Sequence, residues 1–437
     1  MICSQPVKIL HVADYLPDLH RIAGGAEYAA RRSIEEQARA GLEVEVATLP
    51  ADFTGGDAPW QRRYEMRHLD ALAPKLAYAV KQLYLPRDPR AASDLARAVR
   101  ESRPDVVHYH NLHYAGLSVV NVARAAGIAS VWTIYDYWLF CPSFMLLTNR
   151  GELCQVGHSH RCVDCVGTRR LPLLKPIKRL LFHTRAAAFA GPTAAVDRFV
   201  VLSEASKNML VHHGVHADRV VVIPQYGWKE AAADEDARAP VPGRLLYVGW
   251  VEPRKGLHVV IRALALVARE FPQLHLEVLG MAADRAYQAE LEEFVRREGL
   301  AGRVRFREKV GREELLRELR AAFLVTVPEQ WENMSPVILT EAMTAGACVL
   351  ASRVGGVPQF VVEGESGLLA QRDSPEDFAA QMRWALSNPQ RVLEMRRAAR
   401  RRALEMFDTA TINRRTMELY ASLVRREPEE GALGQSV

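Results

Sequence analysis

The carboxylates of Glu332 and Glu341 lie between residues 327 and 343, in a segment whose residue types suit the binding of a phosphate and a ribose. An apolar run ends at Val327, Glu332 follows in a polar loop, and Glu341 lies in a helical stretch. Ser335 is predicted to cap that helix and Pro336 to occupy its first position. A helix N-terminus suits phosphate, and a carboxylate one to two turns further can accept hydrogen bonds from a ribose diol. The alternative, from spacing alone, is an ordinary strand–loop–helix with surface acids.

A basic pair, Arg254 and Lys255, follows a second apolar run that ends at Gly249. Cations at such a turn can neutralise a leaving diphosphate without a metal ion. A solvated basic turn is the alternative interpretation, because such turns are common on protein surfaces.

Two glycine pairs mark positions where the backbone can approach a ligand closely. Gly24 and Gly25 precede a long amphipathic helix, and Gly355 and Gly356 follow a later apolar run. A tight turn without a ligand is the alternative at Gly24 and Gly25. A dinucleotide site of the NAD type is not indicated, because Gly-x-Gly-x-x-Gly is absent after the first strand.

Four of the six cysteines cluster in the pattern C-x12-C-x7-C-x2-C, with His158 and His160 between them. Four thiolates suit tetrahedral zinc, although one C-x2-C pair with irregular partners is less specific than two such pairs. In a reducing compartment the alternatives are plain thiols or a redox-sensitive cluster. The candidate zinc ligands are Cys141, Cys154, Cys162 and Cys165.

The composition excludes several classes of protein. A net charge of +5 spread over 437 residues does not predict a nucleic-acid-binding protein. The N-terminus has no secretory signal and no run approaches a membrane span, so a cytoplasmic location is expected. The stretch 168–183 mixes basic and apolar residues and predicts either peripheral contact with anionic lipid or an ordinary surface helix, which we favour. Its charged positions are Arg169, Arg170, Lys175, Lys178 and Arg179.

Short β-rich runs alternate with helical patterns along the whole chain, which predicts parallel sheets built from βαβ units. The predicted strands of the first half are Lys8–Asp14, 42–46, Val106–His110, Ser130–Tyr135, Phe199–Leu202 and Val220–Ile223. Those of the second half are Leu245–Val248, Leu274–Leu279, Phe323–Val327, Cys348–Ala351 and Gly367–Leu369. The fold class is therefore α/β, with two doubly wound, Rossmann-like domains facing a central cleft.

The segment from Pro328 to Met343 resembles the acidic loop–helix motif of the retaining glycosyltransferases of the GT-B fold, the large family 4 (glycosyl transferases group 1). Their pattern is Pro, three residues, Glu, seven residues, Glu. The resemblance extends from Lys8 to about Tyr420. It implies catalytic roles for Lys255, Glu332, Asp136 and Arg254. It also implies donor contacts from Glu341, Gly24, Gly25, Gly249, Ser335, Pro336, Val337, Gly355, Gly356 and Gly311.

Several positions depart from the family pattern. Eight residues, not seven, separate Glu332 from Glu341, so a local bulge or a role for Asn333 is expected. Trp250 stands where the family has Arg, and Tyr135 stands where many relatives have His. Gln359 replaces a usual Glu. Three histidines, His108, His110 and His113, also lie near one strand end, and we expect one of them to enter the cleft.

The resemblance implies transfer of a sugar from a nucleoside diphosphate sugar to an acceptor hydroxyl with retention, and without a catalytic metal. A glycan or lipid-linked acceptor is expected, in polysaccharide, lipopolysaccharide or glycolipid synthesis at the inner face of a membrane. The alternatives are a non-catalytic glycan- or nucleotide-binding relative, and an epimerase or phosphorylase on the same fold. The expected division is 1–228 (acceptor-side domain, cysteine-rich insertion at 141–165), 229–243 (linker), 244–404 (donor domain), 405–426 (helix returning to the first domain) and 427–437 (frayed tail).

Overall fold

Two parallel β-sheets, each flanked by helices, form the frame of the protein. The computed structural model describes residues 7–21, 24–52, 58–68, 86–166, 175–228, 231, 240–308 and 310–424. The first sheet has the strand order β3-β2-β1-β4-β5-β6-β7 and the second has β10-β9-β8-β11-β12-β13. Every pairing within these sheets is parallel. The expectation of two doubly wound α/β domains is confirmed.

The strands of the first sheet are β1 Lys8–Val12, β2 Glu43–Thr48, β3 Arg62–Glu65, β4 Val106–Tyr109, β5 Ala129–Thr133, β6 Arg198–Val201 and β7 Val220–Val222. Those of the second are β8 Arg244–Val248, β9 His275–Leu279, β10 Val304–Arg307, β11 Leu324–Val327, β12 Val349–Ser352 and β13 Leu368–Ala370. The strand order reverses beside β1 and beside β8. Ligands of open α/β sheets bind at the carboxyl ends of strands at such points, so the loops after these strands are the expected site.

Helices cover both faces of the sheets. Several begin at a side-chain cap: Asp88, Ser203, Asp284 and Ser374 each accept backbone N–H groups of a first turn. The helices before the linker are α1 Gly25–Arg39, α2 Pro89–Ser102, α3 Val120–Ala125, α4 Cys162–Cys165, α5 Lys175–Ala195 and α6 Glu204–His212. Those after it are α7 Leu257–Val267, α8 Arg285–Arg297, α9 Arg312–Ala321, α10 Val337–Thr344, α11 Val357–Phe360, α12 Pro375–Ser387, α13 Pro389–Met406 and α14 Thr409–Val424.

The sequence prediction missed the strands β3 and β10. Both lie at a sheet edge. Their sequences, RRYE and VRFR, are rich in arginine and carry few apolar residues. An edge strand pairs on one side only and tolerates charge, so it lacks the apolar run that marks a central strand. The other strands fall within one or two residues of their predicted bounds.

The chain passes between the two sheets twice. Trp228, expected at the end of the first domain, packs in the core of the second with Leu246 and Val325. The last helix, α14, returns to the first domain, where Ile412 and Tyr420 pack in one core with strand β1. Most of the predicted linker and the predicted tail lie outside the described residues. Within the described part of the chain, we find no helix long and apolar enough to cross a membrane.

Candidate active site

The loop after β11 holds Glu332 in a fixed position. Its carboxylate accepts a 2.6 Å hydrogen bond from the backbone N–H of Gly355. The N–H of Asn333 donates to the carbonyl of Trp331 at 2.7 Å, which closes a three-residue turn around Glu332. This turn lies at the start of the stretch in which eight residues, not the usual seven, separate Glu332 from Glu341. The side chain of Asn333 points inward instead, and its Oδ1 accepts from the N–H of Ser335.

Gly355 and Gly356 are required by close packing against this loop. A Cβ on Gly355 would lie 2.2 Å from the carbonyl oxygen of Asn333, and its φ of +49° favours glycine. A Cβ on Gly356 would lie 2.0 Å from the carbonyl oxygen of Met334. Gly356 also donates its N–H to the carbonyl of Asn333 at 2.9 Å. The two glycines therefore set the position of the acidic loop.

Helix α10 begins at Val337, so the predicted capping by Ser335 is wrong. Pro336 occupies the cap position, not the first helical position, and its ψ of 121° keeps it outside the helix. The hydroxyl of Ser335 accepts a 3.0 Å hydrogen bond from Gln225, which lies at the end of the first domain. The competing partner explains the difference, because a side-chain oxygen engaged across the cleft does not cap the helix.

Glu341 lies one turn into α10 and is partly buried. Burial raises the pKa of its carboxyl, and the positive charges of Arg312 and Arg32 partly offset that effect. Arg312 belongs to α9, directly after Gly311, and Arg32 belongs to α1 of the other domain. A Cβ on Gly311 would meet no atom within 4 Å. The carboxyl thus has cationic neighbours from both domains.

Lys255 is bound to a carboxylate that the sequence analysis did not single out. Its Nζ donates to Glu329 Oε1 at 2.6 Å, and Trp331 Nε1 donates to Glu329 Oε2 at 2.6 Å. The Glu329 side chain is 3% exposed and that of Lys255 19%. One feature of the sequence could have pointed to Glu329: it is a carboxylate directly after Pro328, two residues past the end of a buried strand.

Arg254 lies beside the same loop. Its guanidinium stands 5.7 Å from the ring centre of Trp331 and pairs with Glu252 at 2.7 Å. Its carbonyl accepts from the N–H of Gln330 at 2.9 Å. The turn that carries the basic pair therefore packs on the acidic loop. It follows Gly249, whose N–H donates to the carbonyl of Leu279 on the neighbouring strand β9.

Gly24 and Gly25 form the opposite wall. A Cβ on Gly24 would lie 3.8 Å from Nε1 of Trp250, and one on Gly25 would lie 3.2 Å from Val337. The N–H of Gly24 donates to Glu27 at 2.8 Å, which fixes the start of α1. The N-terminus of α1 therefore faces both the turn after β8 and the start of α10.

Asp136 is held after β5 by two partners. Its Oδ2 lies 3.2 Å from Nε2 of His113, and its Oδ1 accepts from the N–H of Trp138 at 2.9 Å. Burial lowers the pKa of His113, but the carboxylates of Asp136, Asp14 and Glu27 outweigh it, so the pKa is raised. His113 therefore stays protonated to a higher pH than an ordinary imidazole.

His108 and His110 stay in the sheet interior. Nδ1 and Nε2 of His108 contact the hydroxyls of Tyr420 and Thr133 at 2.6 and 2.7 Å. His110 contacts His11 at 3.0 Å and the Tyr135 hydroxyl at 3.0 Å. Tyr135, which stands at the usual histidine position, thus joins this buried network.

Both sets of loops meet between two doubly wound sheets, which defines the GT-B class of enzymes that handle nucleotide-linked sugars. Residues 23–225 match the family described as glycosyltransferase family 4, and residues 231–403 match glycosyl transferases group 1. A D-inositol 3-phosphate glycosyltransferase of Streptomyces avermitilis is 31% identical over 95% of this chain and 94% of its own. The chain belongs to glycosyltransferase family 4.

Solved structures share the fold at low identity. The Anabaena protein HepE in complex with UDP-glucose has a TM-score of 0.70 at 19% identity, covering 95% of this chain and 100% of its own. Sucrose-phosphate synthase from Thermosynechococcus elongatus has a TM-score of 0.67 at 19% identity, covering 95% and 99%. The described arrangement is therefore the GT-B fold, and the protein is a glycosyltransferase.

Proposed function

We propose that the protein transfers a sugar from a nucleoside diphosphate sugar to an acceptor hydroxyl, with retention and without a catalytic metal. The observation that carries this proposal is the meeting of the α1 N-terminus with the turn after β8 and the start of α10. The first turn of α1, which begins at Gly25, supplies N–H groups there, and Lys255 and Arg254 supply positive charge. Such an arrangement stabilises a developing diphosphate anion with groups fixed in advance.

The acidic residues take the remaining parts of the donor. Glu341, partly buried on α10, accepts hydrogen bonds from the ribose diol. Glu332 orients the hydroxyls of the reacting sugar, and the Gly355 N–H keeps its carboxylate in place. Asp136, held by His113, completes the wall on the acceptor side.

The pairing of Lys255 with Glu329 bears on how the donor binds. A carboxylate at 2.6 Å neutralises the ammonium while no diphosphate is bound. The diphosphate would then share that ammonium with Glu329, in a site where both groups are mostly buried. The same pairing supports a second candidate function, a relative that binds the donor without turnover.

Uridine diphosphate sugars are the first donors to test, since the HepE structure contains UDP-glucose. The acceptor panel should include inositol phosphates, after the names of the curated relatives, and glycolipids. A lipid-linked acceptor is supported by Ile177 and Leu180 on α5, which are 58% and 65% exposed next to Lys178 and Arg179. Such an acceptor would place the reaction at the cytoplasmic face of a membrane.

Product analysis tests the activity. Release of free nucleoside diphosphate with formation of a glycoside, and the anomeric configuration by NMR, would establish transfer and its stereochemistry. Lys255→Ala should lower kcat/KM by a factor of about 10² to 10³, the cost of removing one group that stabilises transition-state charge. Arg296→Ala is the matched control, because Arg296 is exposed on α8 and pairs with Glu293.

Three outcomes would contradict the proposal. Near-normal kcat/KM in Lys255→Ala would remove the assigned role of this residue. Donor binding in the wild type without turnover across the acceptor panel would favour the binding protein. Conversion of the donor sugar in the absence of any acceptor would instead identify an epimerase.

A further inference from the structure

The cysteine-rich segment after β5 folds back on itself. Leu147 and Leu153 form an antiparallel bridge, and the turn between them is closed by the N–H of Gly151 donating to Thr148 at 3.0 Å. This hairpin returns Cys154 towards Cys141, since its N–H donates to the carbonyl of Leu146. Both thiols pack against the core of the first domain.

The other two cysteines lie on the single turn of helix α4. Cys162 and Cys165 are three residues apart and therefore share one face. The N–H of Ser159 donates to Cys162 Sγ at 3.4 Å, and the same sulfur lies 3.7 Å from the carbonyl oxygen of Gly157. Cys162 also interacts electrostatically with Cys141, Cys154 and Cys165. Four sulfur atoms from distant positions thus lie within electrostatic reach of one another.

A buried cation lies beside these thiols. Arg185 on α5 is 0% exposed, and its guanidinium stacks 4.5 Å from the ring centre of Phe189. The guanidinium interacts electrostatically with Cys141 and Cys162. Neutral thiols would stabilise an enclosed guanidinium weakly, and thiolates would stabilise it strongly.

We propose that the first domain holds one structural zinc ion through four thiolates of this segment: Cys141, Cys154, Cys162 and Cys165. Zn²⁺ with four thiolates carries a net charge of −2, and Arg185 reduces this to −1. Binding releases the four thiol protons to solvent and involves no change of oxidation state. The site is independent of sugar transfer, because no donor-binding residue contributes to it.

The four cysteines are better candidates for zinc ligands than the three histidines of the sheet interior, because thiolates carry negative charge. Among the described residues, the metal-ligand atoms that gather within 4.8 Å of one another are those of His11, His108 and His110. His108 and His110 already use both ring nitrogens in hydrogen bonds, and imidazoles supply no negative charge. The cysteine sulfurs are spaced more widely, whereas bonds of about 2.3 Å would hold them about 3.8 Å apart. A zinc ion bound to all four sulfurs would therefore join the two ends of the segment 141–165.

A metal ion that joins the ends of this segment would stabilise the wall next to Asp136. Tyr137 donates its N–H to the carbonyl of Phe144, and Trp138 stacks edge-on with Phe189 at 5.0 Å. The zinc ion would therefore stabilise the conformation of the loop that follows β5.

Zinc content of the purified full-length protein tests the proposal. We expect about one zinc per chain by mass spectrometry after expression with added zinc. Cys162→Ser should lose most of it, whereas Cys348→Ser is the matched control because Cys348 is buried in the other domain and should keep it. Replacement by Co²⁺ should give the sulfur-to-metal absorption of a tetrahedral thiolate site.

A second set of measurements does not depend on the folding of a variant. In the wild type, a chelator that removes the zinc should increase amide hydrogen exchange in residues 141–165 while leaving the second sheet unchanged. Arg185→Gln should lower the zinc affinity, since the compensating charge is lost. Substoichiometric zinc in the wild type, or equal loss in Cys348→Ser, would overturn the assignment.

Discussion

Acidification should destabilise the first domain through its buried histidines. His11, His108 and His110 are each 3% exposed or less and form one row across β1 and β4. Burial lowers the pKa of His11 to about 3 and those of the other two well below the usual value of 6.5. The folded state therefore keeps the three rings neutral at pH values where the unfolded chain protonates them.

The sign and size of the effect follow from proton linkage. Below pH 6.5 the unfolded state binds more protons than the folded state, so the free energy of unfolding falls as the pH falls. A histidine that titrates at 6.5 when unfolded, and stays neutral when folded, loses about 1.4 kcal/mol of stability between pH 7.5 and 5.5. The three rings together should lose about 4 kcal/mol over that range.

Urea unfolding followed by circular dichroism at pH 7.5 and 5.5 measures this loss. His108→Gln keeps a polar group opposite the Tyr420 hydroxyl but cannot titrate. The free energy of unfolding should therefore differ between pH 7.5 and pH 5.5 by about 1.4 kcal/mol less in this variant than in the wild type. This holds even if the substitution changes the stability at both pH values. His183→Gln, at an exposed position on α5, is the control. An undiminished difference in the His108 variant would show that this ring is not held neutral by the fold.

Three further substitutions address the site. Glu329→Gln removes a carboxylate from the diphosphate position and should tighten UDP binding about tenfold by calorimetry; unchanged affinity would contradict the shared-ammonium interpretation. Gly356→Ala places a Cβ 2.0 Å from the Met334 carbonyl and should lower kcat/KM about a hundredfold, whereas Gly302→Ala, with nothing within 4 Å, should not. We expect wild-type activity to decline as the pH rises through the raised pKa of His113, and His113→Asn should abolish that decline; a decline that persists in the variant would assign it to another group.

The central strands could be predicted from the sequence more accurately than the individual side-chain contacts. Near-continuous apolar runs mark β1, β4, β8 and β11 because parallel strands are buried on both faces, and the ends of these runs place the site loops. The order of the motifs then identified the family. Local sequence information was sufficient for these features because each depends on a short continuous segment.

Features that depend on tertiary partners were harder to predict. Ser335 has the residue type of a helix cap, but Gln225, more than a hundred residues earlier, takes its hydroxyl. Glu329 has no motif of its own and is defined by contact with Lys255 across 74 residues. The sequence indicated that one of three histidines enters the cleft, and only the sheet geometry shows that His113 is the one beside Asp136.

The return of α14 to the first domain has a consequence for the order of folding. Tyr420 hydrogen-bonds His108 on β4 and Gln37 on α1, so the last helix of the described chain completes the core that the first strand begins. During synthesis the N-terminal half emerges from the ribosome well before these partners exist. A nascent first domain would expose the apolar surface and the histidine row that α14 later covers. The second domain, whose strands and helices lie between these ends, would mature before the first.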